Sequence, residues 1–163
     1  MSEALQAQQT PTDDQPLVDE TPYGSGKDDS ITDTTEKEAV THKTITIEDQ
    51  NIHYTARAGH LVINDMIRAV PTAKIFYVSF TKDGAAPTER PVTFFYNGGP
   101  GSSSVFLLLG SFAPRRIKTN MPHFTPPAPY SLEDNADCLL DHSDLVFINP
   151  VGTGYSTTSR GRQ

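Results

Sequence analysis

The residues best suited to chemistry lie in one run, Tyr96-Asn97-Gly98-Gly99-Pro100-Gly101-Ser102-Ser103-Ser104. It follows Pro91-Val92-Thr93-Phe94-Phe95-Tyr96, a segment dense in β-formers, and precedes an apolar stretch. Open α/β sheets place ligands at such carboxyl ends of strands. Gly98 and Gly99 let the backbone approach a ligand with no Cβ in the way, and their N–H groups, with a helix N-terminus behind them, favour negative charge. Phosphate binding by a P-loop would need Gly-Lys-Ser/Thr at the end of the loop, but three serines follow Gly101. The dinucleotide pattern fails as well: Ser104 stands where its third glycine belongs, and Pro100 removes an N–H. The other chemistry open to the loop is stabilisation of an oxyanion in acyl transfer. In α/β-hydrolases one donor N–H comes from the loop after an early strand and one from the residue after the nucleophile.

A second glycine motif lies downstream. Asp144-Leu145-Val146-Phe147-Ile148 is a core strand by composition, and it runs into Asn149-Pro150-Val151-Gly152-Thr153-Gly154-Tyr155-Ser156. Together the two motifs resemble the serine carboxypeptidase family (peptidase family S10): the first is similar to its Asn-Gly-Gly-Pro-Gly-Cys/Ser-Ser signature, the second to its Pro-Val-Gly-Thr-Gly-Phe/Tyr-Ser turn. Their order and separation are similar too, and the resemblance covers roughly residues 41–160. It implies an α/β-hydrolase fold and a serine-type carboxypeptidase that takes a peptide or protein C-terminus as substrate and uses no cofactor. It implies that the Gly99 backbone N–H is an oxyanion donor, and that the Asn97 side chain and the Gly98 N–H hold the substrate's free α-carboxylate. For Gly152-Thr153-Gly154 a structural role, shaping the floor of the cleft, is expected.

The sequence also departs from the family. The family's nucleophile sits in a Gly-Glu-Ser-Tyr-Ala/Gly-Gly elbow, but no serine here has glycine at both −2 and +2. The expectation is an N-terminal portion of the domain that carries half an oxyanion hole and no triad; the alternative is a truncated, catalytically inactive binding module. Ser102, Ser103 and Ser104 are read as helix caps, and His142 beside Asp141 as a solvated pair. His42, His53 and His60 lack metal-ligand spacing and read as surface residues, so no metal site is expected. Ser102 stands where secreted members often carry a bridged cysteine. Ser111 stands three residues before Pro114, where such members tend to have a glutamic acid that helps bind the terminal carboxylate.

The elements that position these motifs are legible in outline. Thr44–Ile47 and Ile52–Ala56 alternate with period two around Asp49-Gln50-Asn51, which predicts a β-hairpin broken at Gly59, with Leu61-Val62-Ile63 a further short strand. Lys74–Thr81 predicts a strand ending at Lys82-Asp83-Gly84. Ser102–Leu109 predicts a buried helix, Pro122–Pro129 an irregular loop, and Ser131–Leu140 a short helix. The fold class expected is α/β: a mixed sheet with an antiparallel hairpin start and parallel core strands.

The net charge of −7 is unevenly placed. Residues 1–40 hold ten acidic side chains against two basic, whereas all eight Phe and five of the six Tyr lie beyond position 40. Residues 1–40 are therefore expected to be a disordered acidic leader, and 41–163 the incomplete hydrolase domain. There is no clustered basic face for nucleic acid, and Cys138 is the only cysteine, which excludes a disulfide scaffold. No run approaches the roughly 20 apolar residues that span a bilayer, and the first residues lack a basic and apolar leader pattern, so no membrane partner and a cytoplasmic location are expected. The oligomeric state is left open.

Overall fold

The structure is a computed structural model that describes residues 13–23, 32–99, 101–120, 122–125 and 127–159. Among the described residues eight strands form two sheets. In the larger, β1 (Glu38–Ile47), β2 (Gln50–Asn64), β3 (Pro71–Lys82), β7 (Asp144–Ile148) and β4 (Val92–Tyr96) lie side by side in that order, and β8 (Thr157–Thr158) extends β3. β1, β2, β3 and β7 pair antiparallel, and β4 pairs parallel to β7. This is the mixed sheet expected. β5 (Arg115–Ile117) and β6 (Leu132–Asp134) make a small second sheet that brackets the proline-rich loop.

The β1–β2 turn is Glu48-Asp49, both residues at positive φ (47° and 61°), the mirror-image turn that matches strand twist. β2 does not break at Gly59. It runs on to Asn64, so the expected short strand is the far end of one long one. The glycine is there because β1 enters across it: a Cβ would sit 2.6 Å from the Lys37 carbonyl oxygen and 2.7 Å from the Glu38 Cβ.

One face of the sheet carries the core. Ile45, Ile47, Ile52 and Tyr54 of the hairpin meet Leu145 and Phe147 of β7, with Ala113, Cys138 and Leu140 packed from above. Phe95 of β4 stacks on Phe147 (centroids 4.5 Å apart) and on Phe112 (5.1 Å). Leu140 and Leu145 are fully buried, and each such side chain contributes about 2 kcal/mol by leaving water.

The chain over this face is not the buried helix expected. Val105–Leu107 (α1) continues as one π turn, Leu108–Phe112, in which no residue is buried, and Phe106 is 71% exposed. Leu107, Leu108 and Phe112 face the core, while Val105, Phe106, Leu109 and Gly110 line an open cleft with Arg116 and Ile117. Pro114 ends the segment, since the residue before a proline is driven to extended backbone. Ser131–Leu140 is likewise not a helix: β6 pairs with β5 through Arg115–Asp134 and Arg116–Glu133 ion pairs, and only Leu139–Asp141 makes a 3-10 turn. Buried Asn135 locks this layer by donating to the Ser111 and Ala113 carbonyls (2.7 and 2.9 Å) and accepting from Arg116 (3.2 Å).

The leader also differs from expectation where it is described. β1 begins at Glu38 rather than Thr41, and Gln15 exchanges two backbone hydrogen bonds with Val40 (2.8 and 3.0 Å). Residues 1–12 and 24–31 lie outside the described residues. No described helix is long and apolar enough to cross a membrane.

Gly59→Ala is expected to lower the urea unfolding free energy of the chain by about 1–3 kcal/mol, the usual cost of forcing atoms into a filled position, whereas Gly110→Ala, in open space, is expected not to lower it.

Candidate functional site

Because β4 and β7 are parallel neighbours, their carboxyl ends leave the sheet side by side, and the loops that follow are the two glycine motifs. Ser104 joins them. It is 1% exposed; its hydroxyl donates to the Ile148 carbonyl at 2.5 Å and accepts the Asn97 N–H at 3.2 Å, and its own N–H donates to Asn149 Oδ1 at 2.9 Å. Ser104 sits at the N-cap of α1 yet makes no side-chain cap bond, so the expected capping role is corrected: the hydroxyl is spent across the two loops.

Asn97 organises the first loop. Its Nδ2 donates to the Ser103 carbonyl (2.9 Å) and its Oδ1 accepts the Gly98 N–H (3.0 Å). A Cβ on Gly99 would lie 2.7 Å from the Gly101 nitrogen and 3.1 Å from the Ser102 nitrogen, so the loop closes only with glycine there. Gly101 takes φ +94°, which side chains rarely adopt. A Cβ on Gly98 would meet nothing within 4 Å, so space above it is open. Among the described residues the Gly99 N–H has no hydrogen-bond partner, unlike that of Gly98. Pro100 is outside the described residues.

The second loop is a self-braced turn. Gly152 N–H donates to the Ser156 carbonyl (3.0 Å), and Thr153 donates to the Pro150 carbonyl through both its N–H (3.0 Å) and its hydroxyl (2.8 Å). Ser156 Oγ donates to the Asn149 carbonyl (2.7 Å) and accepts the Phe76 N–H (2.7 Å), pinning the turn to β3. A Cβ on Gly154, at φ +52°, would overlap the Asn149 side-chain amide and come within 3.1 Å of Ser103 Cβ. The two motifs are therefore in van der Waals contact.

The other candidate groups lie elsewhere. Asp144 accepts from Arg90 Nε at 2.9 Å, and the same guanidinium donates to the Leu140 and Asp141 carbonyls. His142 is 80% exposed beside Asp141. Among the described residues no serine hydroxyl is hydrogen-bonded to a histidine ring. Among the described residues the His53 ring is hydrogen-bonded only to the Thr44 hydroxyl (2.9 Å). His60 is not a surface residue: it is 7% exposed, and burial pushes its pKa below the ordinary value. Burial also pushes the Cys138 thiol up to about 11, so it stays protonated and poorly reactive at neutral pH.

The serine carboxypeptidase family model matches residues 47–163, which takes in both glycine loops and every strand after β1. The chain belongs to the serine carboxypeptidase family. It is 31% identical over 101 residues to a protein of Rattus norvegicus named a probable serine carboxypeptidase, covering 62% of this chain and 18% of that protein. It is 33% identical over 91 residues to a serine carboxypeptidase-like protein of Oryza sativa subsp. japonica (55% and 19%), and 31% identical over 103 residues to a pheromone-processing carboxypeptidase of Neosartorya fischeri (63% and 14%). The chain thus spans less than a fifth of the length of these relatives.

Ser104→Ala would leave the Asn97 N–H and the Ile148 carbonyl without their buried partner. It is expected to cost about 1–3 kcal/mol in urea unfolding, against roughly 0.5 kcal/mol or less for Ser102→Ala.

Proposed function

We propose that this chain supplies the oxyanion loop and the substrate-carboxylate contacts of a serine-type carboxypeptidase, which releases C-terminal residues from peptides through an acyl-enzyme. The observation that carries the proposal is the unpaired Gly99 N–H, in a loop that Ser104 fixes to the neighbouring strand. A donor aimed and held before the reaction stabilises charge as it develops on the carbonyl oxygen, with no reorganisation to make at that moment. The serine nucleophile, the general base and its acidic partner would come from further residues of the polypeptide, after the family pattern. A self-sufficient binding module is the weaker reading, because β4 is an edge strand that leaves Val92, Phe94 and Tyr96 half exposed on its outer face.

Recognition of the terminal carboxylate would fall to Asn97 and Gly98. The Gly98 N–H already donates to Asn97 Oδ1, so the substrate carboxylate would replace that oxygen, while the second Nδ2 hydrogen of Asn97 is free to donate. Ser111 is half-buried and cannot share a proton with a carboxylate as a glutamic acid would. The clamp proposed here thus consists of neutral donors alone.

Two outcomes test this in the whole protein. Gly99→Ala keeps the N–H, but its Cβ would press on the Gly101 nitrogen and turn the donor out of place; it is expected to lower kcat by about 10²–10³, roughly 3–4 kcal/mol, with a smaller change in KM. A loss confined to KM contradicts the oxyanion role. The unsubstituted enzyme is expected to turn over free C-termini faster than amidated ones, and Asn97→Ala to narrow that preference; equal turnover of both substrates refutes the clamp. A coding sequence that continues without a Gly-x-Ser-x-Ala/Gly elbow refutes the serine mechanism itself.

A further inference from the structure

The segment 13–23 reaches from the edge of the sheet to the second glycine loop. At one end Gln15 pairs with Val40, and Asp14 Oδ1 accepts the His42 N–H at 2.8 Å. At the other, the Tyr23 ring lies parallel to His60 (centroids 5.5 Å, 7°) and edge-on to Tyr155 (5.3 Å, 71°). Phe76 closes the cluster, 5.3 Å from His60 and 5.2 Å from Tyr155. Aromatic pairs in these geometries attract beyond their buried area.

A polar chain runs through the same rings. His60 Nε2 is 3.0 Å from the Tyr155 carbonyl, which can only accept, so Nε2 carries the hydrogen. Tyr23 donates its hydroxyl hydrogen to Asp19 Oδ2 (2.7 Å), and its oxygen lies 3.1 Å from His60 Nε2. Hydrogen bonds from Thr21 and Tyr23 hold the Asp19 carboxyl down to about 2, so it stays ionised in this network. Tyr155 adjoins Gly154, whose backbone packs on the Asn149 amide and Ser103. Asn149 in turn accepts the Ser104 N–H.

We infer that Tyr23 is a positioning residue: docked on His60 and Tyr155, it makes the 13–23 segment a strap that holds the Pro150–Ser156 turn, and through it the Gly99 loop, in place. Only the consequence at Gly99 rests on the function proposed above. Docking is also pH-sensitive. His60 shares its cavity with Asp19, Glu20, Asp33, Lys37 and Lys74. Burial lowers its pKa most; the Tyr155 carbonyl and Asp19 raise it, and Lys74 lowers it. A buried imidazole with a lowered pKa favours the docked state above the ordinary value of about 6.5, and that advantage is lost as pH falls through the lowered one.

NMR of the full chain tests this. In the unsubstituted chain, Tyr23 ring protons are expected to show Overhauser contacts to His60 and Tyr155; their absence overturns the proposal whatever the variants do. Tyr23→Ala is expected to shift the His60 titration upward toward the ordinary value and to move the amide signals of Gly152, Thr153 and Gly154. Tyr23→Phe, which keeps the stacked ring and loses the hydroxyl with its Asp19 and His60 contacts, is expected to leave those amide signals in place. His60 titrating alike in the unsubstituted chain and Tyr23→Ala, or turn amides that do not move, overturns it. If the turn moves while Gly99→Ala leaves hydrolysis untouched, the strap stands and the catalytic reading falls.

Discussion

A single buried hydroxyl organises the candidate site. Ser104 takes a hydrogen bond from Asn97, gives one to Ile148 and gives a second, through its N–H, to Asn149. These partners come from the ends of two parallel strands about fifty residues apart in sequence, so the bond network converts strand adjacency into a fixed relation between two loops. Because Ser104 is sealed from water, any failure of the network leaves polar groups unsatisfied, which is far costlier than losing the same bonds at the surface. The conformation of Gly99 follows from it. With Asn97 spanning Ser103 and Gly98, the loop closes so tightly on Gly101 and Ser102 that no side chain fits at Gly99.

Beneath this sits an ordinary aromatic and aliphatic core. The stack Phe112–Phe95–Phe147 runs from the covering layer through β4 to β7, and so fixes the strand whose end carries the Gly99 loop. Arg90 does the same at the other ends of β4 and β7, binding Asp144 and two carbonyls of the Leu139–Asp141 turn. The outer face of β4 has no such support: Val92, Phe94 and Tyr96 point to solvent in the described structure.

Much of this was legible in the sequence. β7 and β4 announced themselves by β-branched and aromatic runs that end in glycine loops, and those loops carried the family resemblance that the family match bears out. What stayed hidden was set by long-range contact. Gly59 reads locally as a breaker, but it is the crossing point of β1 over a continuous β2. Ser102–Leu109 reads as a buried helix because its residues are apolar, yet the helical turns over residues 105–112 lay only Leu107, Leu108 and Phe112 on the core and leave Phe106 outward. The polar composition of residues 1–40 conceals that Gln15 and Tyr23 each have a docking place. Ser104 among three serines, and His60 among five histidines, carry no local mark that separates a buried tie from a surface residue.

A preorganised oxyanion donor requires that the Gly99 N–H be held free while its surroundings are locked. Amide hydrogen exchange on the full chain at neutral pH measures this directly. Ser104 and Asn97 amides are expected to be strongly protected, with Gly99 exchanging at close to the rate of an unprotected amide. Protection of Gly99 equal to that of Ser104, or rapid exchange at all three, would contradict a preorganised donor loop.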